Sequence, residues 1–262
     1  MKELNLHQVH TICLNISKEF DKICTRNNIP YYMLGGTMLG AIRHVGFIPW
    51  DDDMDFGVPI EYFDSVITLL KDELPTPYRC LTYKDSDSII FPYFKIEDSS
   101  TVISELHTNT VKDSAIGVNI DIFPLYSCNP SDKLIKKARK YVDWCGFIYA
   151  DSMHNSTVRR TIKYILRFFC PIKPSWFIHK SLIMAKKIQP GNMLANIFGR
   201  WEDKESIPLE WYGNSVRYTF NGYEFIGIEQ YDNYLKKLYK DYMKLPPESK
   251  RILHGGKIYL RD

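Results

Sequence analysis

The chain has 262 residues, 45% hydrophobic and 25% charged, with a formal net charge of +3. That is enough material for one large core or two closely packed ones, and it excludes a disordered chain. Six cysteines without a CxxC pair or His/Cys ligand spacing exclude a zinc ribbon and a disulfide scaffold.

The opening MKELNLHQVH mixes charge into its apolar positions, so it does not read as a secretory signal. No apolar run reaches the about 18 residues a membrane span requires, so the cytoplasm is the expected compartment. Leu6, Val9, Cys13, Ile16, Phe20 and Ile23 recur at helical spacing, which predicts an amphipathic helix over 5–27, ended by the proline of NNIP. YYML then reads as a short buried strand, Gly35-Gly36 as a turn, and TMLGAIRH as a short helix with Thr37 near its start. DMDFGV alternates carboxylate with apolar residue, which predicts a strand with Asp53 and Asp55 on one face and Met54 and Phe56 toward the core. EYFDSVITLLKDEL is expected to be helical, and YRCLTYK, IIFPYFKI and STVISEL to be strands. GVNIDIF repeats the alternation, with Val118, Ile120 and Ile122 pointing one way and Asn119 and Asp121 the other.

Beyond Pro130 the chain reads as mostly helical to about Lys187, with a break at PIKPS. WYGNSVRYTFNGYEFIG predicts a hairpin near 211–227 turned by Asn-Gly, and EQYDNYLKKLYKDYM a final helix. The fold class expected is α+β: a nucleotidyltransferase-like catalytic core over 1–128, with a mainly helical region over 129–262 packed on it. Residues 132–189 hold thirteen basic against three acidic side chains, a local +10 that leaves −7 for the remainder. Such a field attracts a polyanion or an anionic surface. Within it, 159–187 interleaves cations with bulky apolar residues, the composition of a helix lying peripherally on a membrane face. A helix packed on the core with a solvated basic face has the same composition. Nucleic acid is not expected, since no recognisable binding motif accompanies the charge.

Asp51, Asp52, Asp53 and Asp55 crowd four carboxylates into five positions. Like charges so close repel, and a divalent cation is the natural counter-charge. Asp53 and Asp55 on one strand, with Asp121 arriving from NIDIF, would offer oxygen ligands to Mg2+ or Mn2+ and assemble a metal-assisted transfer site. Gly35, Gly36 and Thr37 open a helix, where free backbone N–H groups and the dipole favour phosphate. An EF-hand loop starting at Asp51 would need glycine and glutamate where Phe56 and Tyr62 stand. No GxGxxG precedes the cluster, which weighs against a sugar-nucleotide glycosyltransferase. Arg43 and Lys95 are the candidates for extra positive charge on a diphosphate, and His254 for contact with the acceptor. As alternatives, Arg43 is a favourable helix C-terminal cation and Lys95 a surface partner of Asp98.

The stretches YYMLGGTMLGAIRHVGFIPWDDDMDF, FKIEDSSTVISE, GVNIDIFPLY and YLKKLYKDYMKLPPESKRILH, in that order, resemble the LicD family of phosphotransferases, to which fukutin-type proteins are related. The resemblance implies metal-dependent transfer of phosphocholine, or of ribitol or glycerol phosphate. The group would pass from a CDP-activated donor to the hydroxyl of a glycan or lipid-linked oligosaccharide, with release of CMP. By position it implies Asp53 and Asp55 as the metal-binding pair, Asp121 as third carboxylate, and Gly36 and Thr37 at the donor phosphates. The chain departs from the family pattern at Ile60 and near Tyr126. A nucleotidyltransferase that consumes an NTP and releases pyrophosphate would use the same carboxylates, and a non-catalytic nucleotide or metal sensor is the remaining alternative.

Overall fold

In the computed structural model, the residues described are 2–86, 89–103, 116–150, 157–169, 172–251 and 256–261. A short strand β1 (Lys2–Glu3) precedes helix α1 (Leu6–Arg26), which starts in a capping box between Asn5 and Gln8. Its buried stripe runs through Val9, Cys13, Ile16, Phe20 and Ile23, as the periodicity requires. Strand β2 (Tyr32–Met33) leads into α2 (Gly35–His44), β3 (Asp55–Pro59) and α3 (Ile60–Glu73). Then come β4 (Tyr78–Leu81), β5 (Phe94–Asp98), β6 (Thr101–Ile103) and the long β7 (Asn119–Cys128). Three helices follow: α4 (Lys133–Tyr149), α5 (Thr157–Phe169) and α6 (Pro174–Ala185). The chain continues through β8 (Met193–Ala195), β9 (Ser206–Pro208), α7 (Leu209–Tyr212), β10 (Val216–Phe220), β11 (Tyr223–Gly227), α8 (Tyr231–Tyr239) and β12 (Ile258–Leu260).

The architecture is α+β, built on a mixed sheet in the order β2-β3-β7-β5-β4. β3 and β7 run parallel while their outer neighbours are antiparallel. The far end of β7 pairs with β8, and β8 with β9, so residues after 190 extend the same sheet. The largest buried cluster draws on α1, α2, β3, α3, β5 and β7, and equally on Phe220, Phe225, Tyr234 and Leu235 from beyond residue 128. Asp21 fastens the two parts. Its carboxylate accepts from Tyr31 at 2.6 Å, Tyr223 at 2.9 Å and Arg217 at 2.8 Å, which ties α1 to the β10–β11 hairpin. That hairpin turns on Asn221 and Gly222, both at positive φ, as a two-residue Asn-Gly turn requires.

Several elements are shorter than their sequence patterns. The strand expected over DMDFGV begins only at Asp55, although the Asp121 N–H still donates to the Met54 carbonyl at 2.9 Å. Of IIFPYFKI only Phe94–Ile96 is strand, because Ile89 and Ile90 are buried in an irregular segment. β6 covers only Thr101–Ile103 of STVISEL, whose remainder lies outside the described residues. The last predicted helix stops at Tyr239, where Lys240 adopts φ +62°. Cys13, Cys24, Cys80, Cys128 and Cys145 are buried and free. No helix among the described residues is long and apolar enough to cross a membrane.

Candidate active site

The parallel register of β3 and β7 sets Asp55 directly opposite Asp121. On the other side of β7, Lys95 of β5 lies opposite Asp121. Three neighbouring strands therefore present acid, acid and base in a row. The Lys95 ammonium ion-pairs with Asp121 and donates to the Asn119 side-chain oxygen at 3.0 Å, so its partner is Asp121 and not Asp98. Asp98 instead accepts from Ser100.

Asp53, exposed on the segment entering β3, groups most tightly with Asp51 and Asp52: one carboxylate oxygen of each lies within 4.8 Å of the others. Asp51, Asp53, Asp55 and Asp121 all line one cleft of about 620 Å3. Burial, followed by the charges of Asp53 and Asp52, pushes the Asp51 carboxyl up to about 8. Burial and then Asp53, Asp121 and Asp51 raise Asp55 well above the usual carboxylate range. The donor set is oxygen throughout, and its clustered negative charge fits a hard divalent cation.

The loop carrying these acids is braced from behind. The His10 ring stacks on Phe47 with centroids 4.0 Å apart, and its N–H donates to the Asp51 carbonyl at 2.6 Å. Burial lowers the His10 pKa, favouring the neutral ring. The Asp51 N–H donates to the Ile48 carbonyl at 2.9 Å.

The start of α2 lies against the acids. A Cβ on Gly36 would sit 2.8 Å from a carboxylate oxygen of Asp51, so only glycine lets this backbone and that carboxylate approach so closely. Gly35, at φ +49°, donates its N–H to the Tyr234 hydroxyl at 2.8 Å. Thr37 is buried, and its hydroxyl accepts the Asp55 N–H at 2.7 Å. It thus fixes the β3 backbone at Asp55. Arg43, in the last turn of α2, also lines the cleft and donates to the Tyr242 carbonyl at 2.7 Å and to the His44 ring at 2.9 Å. Burial lowers its pKa. His254 lies outside the described residues.

The opposite wall comes from the second half of the chain: Asn196, Arg200, Trp201, Glu205, Tyr239 and Lys244. Glu205 organises it, accepting the Trp201 N–H at 2.7 Å and the Asn196 side-chain amide at 2.8 Å. Trp201 meets Tyr239 edge to face at 5.7 Å. The sequence reading assigned none of these to the site, nor Asp51 individually. The available signals were the consecutive Gly199-Arg200-Trp201 and the LYKDYMK stretch.

The family described as "LicD/FKTN/FKRP, nucleotidyltransferase domain" matches residues 28–144, from the turn before β2 into α4. Residues 28–144 form a LicD-family domain. The lipopolysaccharide cholinephosphotransferase LicD of Haemophilus influenzae is 28% identical over 97% of this chain and 97% of its own length. An uncharacterised protein of Rickettsia typhi is 27% identical over 63% of this chain and 56% of its own. One from Rickettsia prowazekii is 44% identical over 22% of this chain and 19% of its own. The LicD-family domain contains the acids, the α2 start, Arg43 and Lys95, whereas the Asn196–Glu205 wall lies beyond it.

Proposed function

We propose that this chain transfers phosphocholine from CDP-choline to a hydroxyl of a lipopolysaccharide-type glycan, releasing CMP. The observation that carries the reading is the facing of Asp55 and Asp121 across β3–β7, in a cleft shared with Asp53 and the glycine start of α2. Similarity to a lipopolysaccharide cholinephosphotransferase along nearly the whole chain supports the choice of head group and acceptor.

Asp53, Asp55 and Asp121 would hold Mg2+ or Mn2+, with Asp51 adjoining. When bound, the cation neutralises charge on the transferring phosphoryl oxygens and the leaving diphosphate. Arg43 and Arg200 line the cleft as cations for the diphosphate. The first turn of α2, whose leading N–H groups have no intrahelical acceptor, is the end of that helix that would face the donor phosphates. Asp121 orients the acceptor hydroxyl, and Lys95, ion-paired with it, holds that carboxylate in place. Trp50, Trp201 and Tyr239 give the cleft aromatic faces suited to a quaternary ammonium.

The test is CMP release from CDP-choline with lipopolysaccharide and Mg2+, run beside CDP-ribitol and CDP-glycerol. Pyrophosphate release from CTP or ATP is measured in parallel, because the matched family description names a nucleotidyltransferase domain. CMP formation with CDP-choline alone supports the reading. Pyrophosphate without CMP refutes it in favour of nucleotidyl transfer.

A further inference from the structure

Helix α5 is turned inside out relative to an ordinary surface helix. Lys163 is only 3% exposed, and its ammonium donates to the Ala150 carbonyl at the end of α4. Arg167, one turn on, donates to the Ile148 carbonyl at 3.0 Å and the Tyr149 carbonyl at 3.1 Å, and lies over the Tyr149 ring. The last carbonyls of a helix lack intrahelical donors and attract cations, so these two side chains fasten α5 to the α4 C-terminus. The cost of that attachment is borne on the other side. Val158, Ile162, Ile165 and Phe169, spaced four, three and four apart, occupy the opposite face. Val158, Tyr164, Phe168 and Phe169 are 69–77% exposed, and Ile162 and Ile165 nearly half. Trp144 of α4 and Trp176 of α6 are exposed as well. A contiguous apolar face of this kind marks an interaction surface.

We propose that α5 lies in the headgroup region of an anionic lipid bilayer, its Val158–Phe169 face toward the acyl chains. At thirteen residues the helix is about 20 Å long, too short to span a hydrocarbon core of about 30 Å, and suited to lying in its plane. The surrounding charge selects the occupant. Residues 132–189 carry a net +10, and Lys133, Lys136, Lys137, Lys140, Lys173, Lys186 and Lys187 are exposed. That field attracts anionic headgroups. A second copy of this chain on the same face would bring two such segments together by two-fold symmetry, and they repel. The proposal rests on this surface alone and requires no particular donor or acceptor.

The full chain is sedimented at low salt with vesicles of phosphatidylethanolamine and phosphatidylglycerol, and separately with phosphatidylcholine vesicles. No donor is present, so the readout is independent of catalysis. Binding is expected on the anionic vesicles, weaker binding on the neutral ones, and a fall of about tenfold or more in partitioning for Ile165→Glu with Phe169→Glu. Tyr62→Glu on α3 is expected to bind like wild type. Should the glutamate pair fail to fold, Val158→Gln with Phe168→Gln, at highly exposed positions, gives the same ordering. Failure to pellet with anionic vesicles overturns the proposal, as does equal binding by folded double variant and wild type. So does a dimer in analytical ultracentrifugation that the same pair dissociates, since the face would then join two copies.

Discussion

Substituting Gly36→Ala probes the closest approach between α2 and the acidic loop. The new methyl carbon would stand 2.8 Å from an Asp51 carboxylate oxygen, where ordinary contact begins at 3.4 Å, so the carboxylate must retreat by about 0.6 Å. The Asp51 backbone cannot follow, because His10 and Ile48 hold its carbonyl and N–H. The displacement falls on the side chain. A misplacement of about 1 Å near a reacting centre costs about 10²-fold in rate, so a loss of about 10- to 100-fold is expected here, or about 1.4–2.7 kcal/mol of barrier. Stability should not fall, since alanine is favoured over glycine inside a helix by about 1 kcal/mol. Gly40→Ala is the contrasting control: its methyl carbon would meet the Gly46 carbonyl oxygen at 2.5 Å, a backbone atom that cannot swing aside. That variant should lose several degrees of Tm. The assays are CMP release under saturating CDP-choline and thermal denaturation. Gly36→Ala with at least half the wild-type rate, or with a Tm loss matching Gly40→Ala, would refute the reasoning.

Asp53→Asn and Asp55→Asn should each lower turnover by about 10²–10³-fold or more and abolish the rise in Tm expected when Mg2+ is added to the wild type; a retained Mg2+ shift in both would remove these residues from the metal site. Trp201→Ala should raise the KM for CDP-choline more than it lowers kcat, because it removes a wall of the cleft and none of the acids; an effect confined to kcat would contradict that placement. Asp21→Asn should destabilise by about 2–3 kcal/mol, discounted because Arg217 is about a third exposed, and urea unfolding measures it. Burial alone would raise the Asp21 carboxyl, but hydrogen bonds from Arg217, Tyr31 and Tyr223 outweigh it and hold the pKa below the ordinary 3.8. The folded-state value being depressed, this stabilisation is present above pH 3.8 and is lost as pH falls through the folded value. The wild type should therefore lose more stability than Asp21→Asn on acidification below pH 3.8, and parallel profiles would refute the assignment.

Local alternation carried much of the site. Met54, Phe56, Ile120 and Ile122 are buried, which leaves Asp55 and Asp121 facing out of the same sheet, and the strand pattern alone contained that information. The Asn-Gly hairpin and the α1 stripe were likewise written in short-range chemistry. The cleft's other wall was not. Asn196, Trp201 and Glu205 belong to an irregular segment with no hydrophobic period, and only the β7–β8 pairing carries them to the acids. The side-chain contact of Thr37 was similarly hidden: the family resemblance implied a place at the donor phosphates, and the structure adds that its hydroxyl accepts the Asp55 N–H. The basic stretch was legible only in part. Charge counted along the sequence suggested cations facing water, but Lys163 and Arg167 are spent on the α4 terminus, and that follows only from how the two helices meet.

β7 works as a ruler. It holds Asp121 near one end and, about 16 Å further along at Tyr126, grips the strand that leads into Asn196. On the proposed reading, chemistry and recognition are thereby mounted on one strand yet separated along it. Swapping residues 196–201 would retune which molecules the cleft admits while the carboxylates stay put. Divergence in head-group preference among relatives should therefore accumulate at the distal graduation, leaving the reactive one alone.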